Sequence, residues 1–160
     1  MRARLDSSYQ SCLDAAYRYL SYRPRSEFEL KVHLRKRGFN DSSIQDVLLR
    51  LKEQGLLDDL AFAQFWKENR ESFSPRSRMM LQKELRQKGV SPYIIAEVAE
   101  GIDEEASAYK AAQRKVKRLA SADYDNFCRK LGAFLKQRGF NYEVTRHTVN
   151  QLWHERDKDA

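Results

Sequence analysis

Residues Leu81–Val90 read Leu-Gln-Lys-Glu-Leu-Arg-Gln-Lys-Gly-Val, and close relatives of this stretch stand at Leu30–Phe39 and Leu131–Phe140. The three glycines, Gly38, Gly89 and Gly139, are spaced by 51 and 50 residues. A period this regular points to tandem units of one kind.

Aligned on the glycine, each copy has Leu eight residues before it (Leu30, Leu81, Leu131) and Leu four before it (Leu34, Leu85, Leu135). Positions four apart share a helix face. A basic residue stands three before (Arg35, Arg86, Lys136) and one before (Arg37, Lys88, Arg138), and an apolar residue follows (Phe39, Val90, Phe140). This is a helix C-terminus: with the glycine left-handed at C′, the Leu at C3 and the apolar residue at C″ form the contact pair of a Schellman motif. Two residues past each glycine comes an N-cap type, Asn40, Ser91 or Asn141, with Pro92 at the favoured first helical position of the second copy. The next helix carries apolar positions six, ten and thirteen after the glycine: Ile44, Leu48, Leu51; Ile95, Ala99, Ile102; Thr145, Val149, Leu152. Thr145 and Ala99 are weak members, which predicts a looser contact there.

Working outward, Tyr9, Leu13, Ala16, Tyr17 and Leu20 predict a helix over residues 7–22 that Pro24 ends, after a frayed tail of residues 1–5 with Arg2 and Arg4. Ser26 and Glu29 make a capping box for the helix ending at Arg37. Asn40 caps the third helix, which ends near Gly55. Leu57, Asp58 and Phe62 open the next helix with a hydrophobic staple, and Phe62, Phe65 and Trp66 form its apolar face. Ser74 and Pro75 are read as the start of the helix reaching Lys88. The longest helix is placed at 103–120, with Ala106, Tyr109, Ala112, Val116 and Leu119 inward. Asp123 and Asp125 are candidate caps for a helix to Arg138, and the last helix, capped by Asn141, carries Trp153 and gives way to a polar tail over residues 155–160. The chain is therefore expected to be all-α, three three-helix repeats of about nine helices, with modules at 1–57, 58–101 and 102–160.

The net charge is +7, and 33% of the residues are charged. Residues 1–57 hold eleven basic and seven acidic side chains, 58–101 seven of each, and 102–160 twelve and nine. The excess at both ends favours a polyanionic partner such as nucleic acid. Cys12 and Cys128 form no Cys-x-x-Cys pair, so neither a disulfide framework nor a zinc site is indicated. No apolar run reaches membrane-spanning length, and a cytoplasmic location is expected.

No catalytic or phosphate-loop motif is present; His33, His147 and His154 are scattered. Asp58/Asp59 and Glu104/Glu105 stand at helix starts, where capping and the macrodipole explain them. The basic residues before each glycine face the negative end of a helix dipole, which could account for them alone. Their recurrence favours a second reading, a repeated track for a polyanion or an acidic protein surface. Arg114, Lys115, Lys117 and Arg118 add four positive charges within five residues. Most aromatics, among them Tyr17, Phe62, Phe65 and Tyr109, fall at inward spacing and read as core; Tyr22 and Tyr124 are the least committed.

Gly55-Leu56-Leu57-Asp58-Asp59 followed by Phe62-Ala63, then Arg78 and Glu84-Leu85-Arg86-Gln87-Lys88-Gly89-Val90, resembles the central signature of the RecX family, regulators of bacterial recombination. Ser26-x-x-Glu29-Leu30 and Leu135-Lys136-Gln137-Arg138-Gly139-Phe140 are similar to the flanking parts. The resemblance implies an elongated, curved array of three-helix repeats that modulates the RecA recombinase. Such proteins bind in the groove of the RecA–DNA filament and limit its growth, ATP hydrolysis and strand exchange. It also implies a monomer without enzymatic activity, cofactor, metal or membrane contact, binding single- and double-stranded DNA more weakly than the filament. The candidate contacts are Arg35, Lys36, Arg37, Arg76, Arg78, Lys83, Arg86, Lys88, Arg114, Lys115, Lys117, Arg118, Lys136 and Arg138. Reversing Arg86 and Lys88 together is expected to weaken inhibition without unfolding the chain. Two other readings fit the residues: a helix-turn-helix-like DNA-binding protein acting without RecA, and a helical scaffold for an unrelated protein.

Overall fold

The structure, a computed structural model, describes the backbone of residues 2–159 and the side chains of residues 7–156. These residues form nine α-helices and no strand. The first repeat holds α1 (Arg2–Leu20), α2 (Glu27–Lys36) and α3 (Asp41–Glu53). The second holds α4 (Asp59–Phe73), α5 (Arg78–Gln87) and α6 (Pro92–Ala99), and the third α7 (Glu104–Val116), prolonged by a 3-10 turn (Lys117–Leu119), α8 (Tyr124–Gln137) and α9 (Tyr142–Asp159). The chain ends differ from expectation. Residue 2 already belongs to α1, so the tail read over 1–5 is helical there, although the side chains of Arg2 and Arg4 lie outside the described residues. Likewise α9 continues to Asp159, into the segment read as a polar tail, and α1, with 19 residues, is longer than α7 with 13.

Side chains fix the helix starts. Ser26 accepts from Glu29 N while the Glu29 carboxylate accepts from Ser26 N, a complete capping box. Asn40, Asp103 and Asp123 cap α3, α7 and α8, and Asn141 Oδ1 accepts from Val144 N at 2.9 Å. One start moves: α5 begins at Arg78, and its cap is Ser77, whose Oγ accepts from Met80 N at 3.1 Å. Ser74 instead donates its N–H to Arg70 O at the end of α4. Ser77 lies twelve residues before Gly89, as Ser26 lies twelve before Gly38, so the repeat rather than the proline sets the start.

All three glycine turns are left-handed, with φ of 89°, 75° and 91° at Gly38, Gly89 and Gly139. Both Schellman bonds form in each: Phe39 N donates to Leu34 O and Gly38 N to Arg35 O, with the same pairs at Val90–Leu85 and Gly89–Arg86, and at Phe140–Leu135 and Gly139–Lys136. The bonds that end the helix leave the flanking basic residues at its last turn.

The same turns join the repeats. Ser26 Oγ donates to Lys88 O at 2.6 Å, and Asp59, the first residue of α4, accepts from Glu27 N at 2.9 Å. One repeat later, Ser77 N donates to Arg138 O at 3.1 Å, and Glu104, the first residue of α7, accepts from Arg78 N at 3.0 Å. Asp59 and Glu104, expected to serve their own helices, thus satisfy the first amide of the preceding repeat's middle helix. Both serines are fully buried. Gly89 lies against Phe28, and Gly139 against Ser77 and Met80, so closely that a Cβ on either glycine would collide with them.

The chain divides into two compact units, Met1–Trp66 with Leu85–Val98, and Lys67–Glu84 with Ala99–Ala160. The first is built on a core of Cys12, Leu13, Leu30, Leu34, Ile44, Val47, Leu48 and Leu51, the second on Ala108, Ala111, Ala112, Phe127, Leu131, Leu135, Phe140, Val149 and Leu152. The glycine-anchored leucines are all buried; truncating such a residue to Ala costs about 2–5 kcal/mol. Several inward positions differ from expectation. A position nine after the glycine is buried in every repeat (Val47, Val98, Thr148), and Thr148 satisfies its hydroxyl on Val144 O. Ile102 is buried in the connector after α6 rather than on a helix. In α7 the alanine face is turned, with Ala106 exposed and Ala108 and Ala111 inward, because small residues there admit α9 closely.

Substituting the glycines one at a time separates turn strain from docking. Gly38→Ala places a side chain in open space and is expected to cost only the left-handed penalty, about 1–2 kcal/mol. Gly89→Ala and Gly139→Ala add a collision with the preceding repeat, so their melting temperatures should fall further; equal losses at all three positions would show that the docking contributes nothing.

Candidate functional site

The candidate basic residues separate into two groups. Some are held inside the scaffold. Lys88 Nζ lies 3.6 Å from Glu29 Oε2 and 5.1 Å from the Trp66 ring centre. Glu29 also receives Arg23, at 2.5 Å, and the Ser26 amide. Burial raises the Glu29 pKa, but Arg23, the Ser26 N–H and Lys88 outweigh it and hold the carboxyl below its ordinary value of 4.5. In the second unit Arg76 and Arg70 share Glu84 at 3.0 Å each, and Arg78 donates to Ile102 O at 3.0 Å. Burial and then the neighbours Arg70 and Arg138 draw Arg76 below the usual guanidinium value against the pull of Glu84.

Others are exposed. Lys36, Arg37, Lys83, Arg86, Lys117 and Lys136 stand in solvent with no ion pair among the described residues, and Arg35 makes an exposed one with Asp41, a kind worth little. The sequence reading treats Arg86 and Lys88 as a pair. The structure separates them, since only Lys88 is committed to a carboxylate.

The two basic clusters of the third repeat meet. Arg114, Lys115 and Arg118 line a cleft of about 200 Å³ together with Arg138, which stands just before Gly139. Phe73, Pro75 and Phe134 supply its apolar walls, and no carboxylate lines it. Arg114 is fixed by donating to Phe73 O at 2.8 Å and Ser72 O at 3.3 Å, the last carbonyls of α4. The Arg138 guanidinium sits 4.8 Å from the Phe134 ring centre and Lys115 Nζ 5.9 Å from it, cation–π contacts that orient both. Arg114 and Arg118 stand four residues apart in the lining; Lys117 is not part of it. Four cations around a part-enclosed space without an acid suit a phosphate or carboxylate, which arginine grips with two parallel bonds.

Nothing in the described residues groups three or more His, Cys, Asp or Glu side chains as a metal site would. His33 stacks on Tyr19 at 3.8 Å, and burial, then Arg37, Arg25 and Lys36, lower its pKa. No described helix is long and apolar enough to cross a membrane.

Family models for the first, second and third three-helix domains of RecX match residues 12–51, 58–98 and 103–149. The chain belongs to the RecX family. The regulatory protein RecX of Chlorobaculum tepidum is 39% identical over 139 residues, covering 87% of this chain and 86% of that one. The RecX of Prosthecochloris aestuarii is 36% identical over 147 residues, 92% of this chain and 97% of the relative. The crystal structure of RecX from Lactobacillus salivarius has the same fold, with a TM-score of 0.73 at 20% identity over 92% of this chain and 97% of that one. These relatives are named regulatory proteins.

Within the RecX framework, Phe73 and Phe134 are the site residues that sequence reasoning misses. Phe134 stands five before Gly139, where the other repeats carry His33 and Glu84, so the signal is variation at one position of an otherwise regular repeat.

Two measurements check these assignments. Lys88→Glu puts like charges at Glu29 and should lower the melting temperature, whereas Arg86→Glu should leave it unchanged; equal effects would remove the distinction. The depressed Glu29 pKa means that its ion pairs stabilise the fold above the ordinary value of 4.5 and lose that contribution as pH falls through the depressed value. Glu29→Gln should therefore melt lower than the parent at pH 7, and the gap should close on acidification below 4.5.

Proposed function

We propose that this chain binds the RecA–DNA filament and restrains the recombinase and ATPase activity of RecA in recombination, DNA repair and the SOS response. Membership of the RecX family carries the reading, and the basic cleft with the exposed Lys36, Arg37, Lys83, Arg86 and Lys136 supports it chemically. A filament of protein on DNA offers acidic side chains and phosphates, and weak contacts repeated along one body gain through effective concentration. The chain acts as a monomer in the cytoplasm, where RecA works. DNA alone is a weaker ligand through the same residues, since phosphate contacts position a protein without specifying sequence.

RecA's single-stranded-DNA-dependent ATP hydrolysis, followed as this protein is added far below RecA in amount, tests the reading. A fall at that ratio is expected. No change, with a strong salt-dependent shift of bare DNA, would instead favour a DNA-binding protein acting without RecA. Lys115→Glu with Arg118→Glu should raise the amount needed for half-inhibition about tenfold at unchanged melting temperature, as expected when charge complementarity is reversed. Undiminished inhibition by that variant would remove the cleft from the interface.

A further inference from the structure

A second concavity lies between α8 and α9, on residues the basic cleft does not use apart from their shared helix. It holds about 720 Å³, within the range of roughly 300–1,000 Å³ usual for ligand pockets. Along α8 it is lined at every fourth residue by Tyr124, Cys128, Gly132 and Lys136. At the matching distances from the glycine the first repeat has Arg23, Glu27, Lys31 and Arg35, and the second Ser74, Arg78, Gln82 and Arg86. A stripe that is charged and polar in two repeats is aromatic and small in the third. The facing helix has changed in step: six residues after the glycine, Ile44 and Ile95 are buried, whereas Thr145 is smaller and half-exposed. Gly132 has nothing within 4 Å of where its Cβ would stand, so together these two substitutions open the groove.

Its floor is apolar, with Phe140 and Val149 4% and 5% exposed, and Tyr142 stands over it 77% exposed. Tyr124 is braced edge-on against Trp153, ring centres 5.2 Å apart. The rim carries one cation from each helix, Lys136 and Arg146, and no carboxylate lines the groove. The groove thus offers apolar side chains to solvent between two cations that form no ion pair among the described residues. Its charge selects an acidic occupant, and its volume admits a bulky side chain.

We propose that this groove docks an acidic protein segment carrying a bulky apolar anchor: the anchor enters between Gly132 and Thr145, and flanking carboxylates meet Lys136 and Arg146. A single nucleic-acid strand fits less well, because it needs phosphate partners at the density of the four-cation cleft and flat ring faces for stacking. The floor here is aliphatic in part, and Tyr124 is already engaged by Trp153. The groove shares only Lys136 with the residues invoked for the filament, and Gly132→Leu, which leaves all of those unchanged, tests it separately from that reading.

The test titrates the full chain into a fluorescein-labelled peptide EDLFED and reads anisotropy, with KKLFKK and a twelve-nucleotide oligo(dT) as comparators. EDLFED is expected to bind and KKLFKK not. Gly132→Leu fills the groove while improving helix propensity, so it should keep the melting temperature and weaken EDLFED at least about tenfold. Lys136→Glu with Arg146→Glu should weaken it by a similar factor, about tenfold. Absence of EDLFED binding, equal binding of KKLFKK, or undiminished binding to folded Gly132→Leu would each overturn the proposal. Oligo(dT) binding that Gly132→Leu abolishes, with EDLFED silent, would assign the groove to nucleic acid instead.

Discussion

The missing Cβ of the glycine turn is the constraint on which the other features depend. A left-handed residue ends the middle helix of each repeat, and at Gly89 and Gly139 the space a side chain would take is filled by the preceding repeat. Each docking bond then has a main-chain atom on at least one side: the Lys88 and Arg138 carbonyls accept from Ser26 Oγ and Ser77 N, while the first amides of α2 and α5 donate to the Asp59 and Glu104 carboxylates. Buried amides without partners would be costly, so each repeat is completed by the next. Gly38, with no preceding repeat against it, keeps the turn for its hydrogen bonds alone.

The same geometry explains why equivalent residues have unlike fates. Lys88 and Arg138 both stand one before a glycine and both lend a carbonyl to the preceding repeat. Nine residues before the glycine, the first repeat carries Glu29, which takes the Lys88 ammonium, and the second carries Met80, which lies against Gly139 and offers no charge. Arg138 is left to lie over Phe134 beside Arg114, Lys115 and Arg118. One carboxylate thus separates an internal ion pair from an anion-seeking cleft.

Much of this was legible in the residues. The Leu–Leu–Gly–apolar pattern predicts the Schellman turns, and Ser26, Asn40, Asp123 and Asn141 cap where expected, because these features are local. Of the two weak members, Thr145 is half-exposed as expected, but Ala99 is buried. What depends on neighbours was not legible. Ser74 before Pro75 is the start that local rules favour, yet Ser77, bonded through its N–H to the Arg138 carbonyl, is the cap. The alanines of α7 fit more than one helical stripe, and only the approach of α9 selects Ala108, Ala111 and Ala112. For the site, the cations were visible as clusters, but a linear reading pairs Arg86 with Lys88 and has no means of joining Arg138 to Arg114.

Docking through carbonyls and amides has an evolutionary corollary. A main-chain acceptor is present whatever residue bears it, so mutation at positions 88 and 138 exchanges the chemistry shown outward while the bond inward persists. The three repeats have used that freedom: one turn has an ion pair, another a basic cleft, and the helix beside it an open groove. Architecture is inherited through the backbone and the few small residues that let it approach, and recognition drifts independently on the side chains around them.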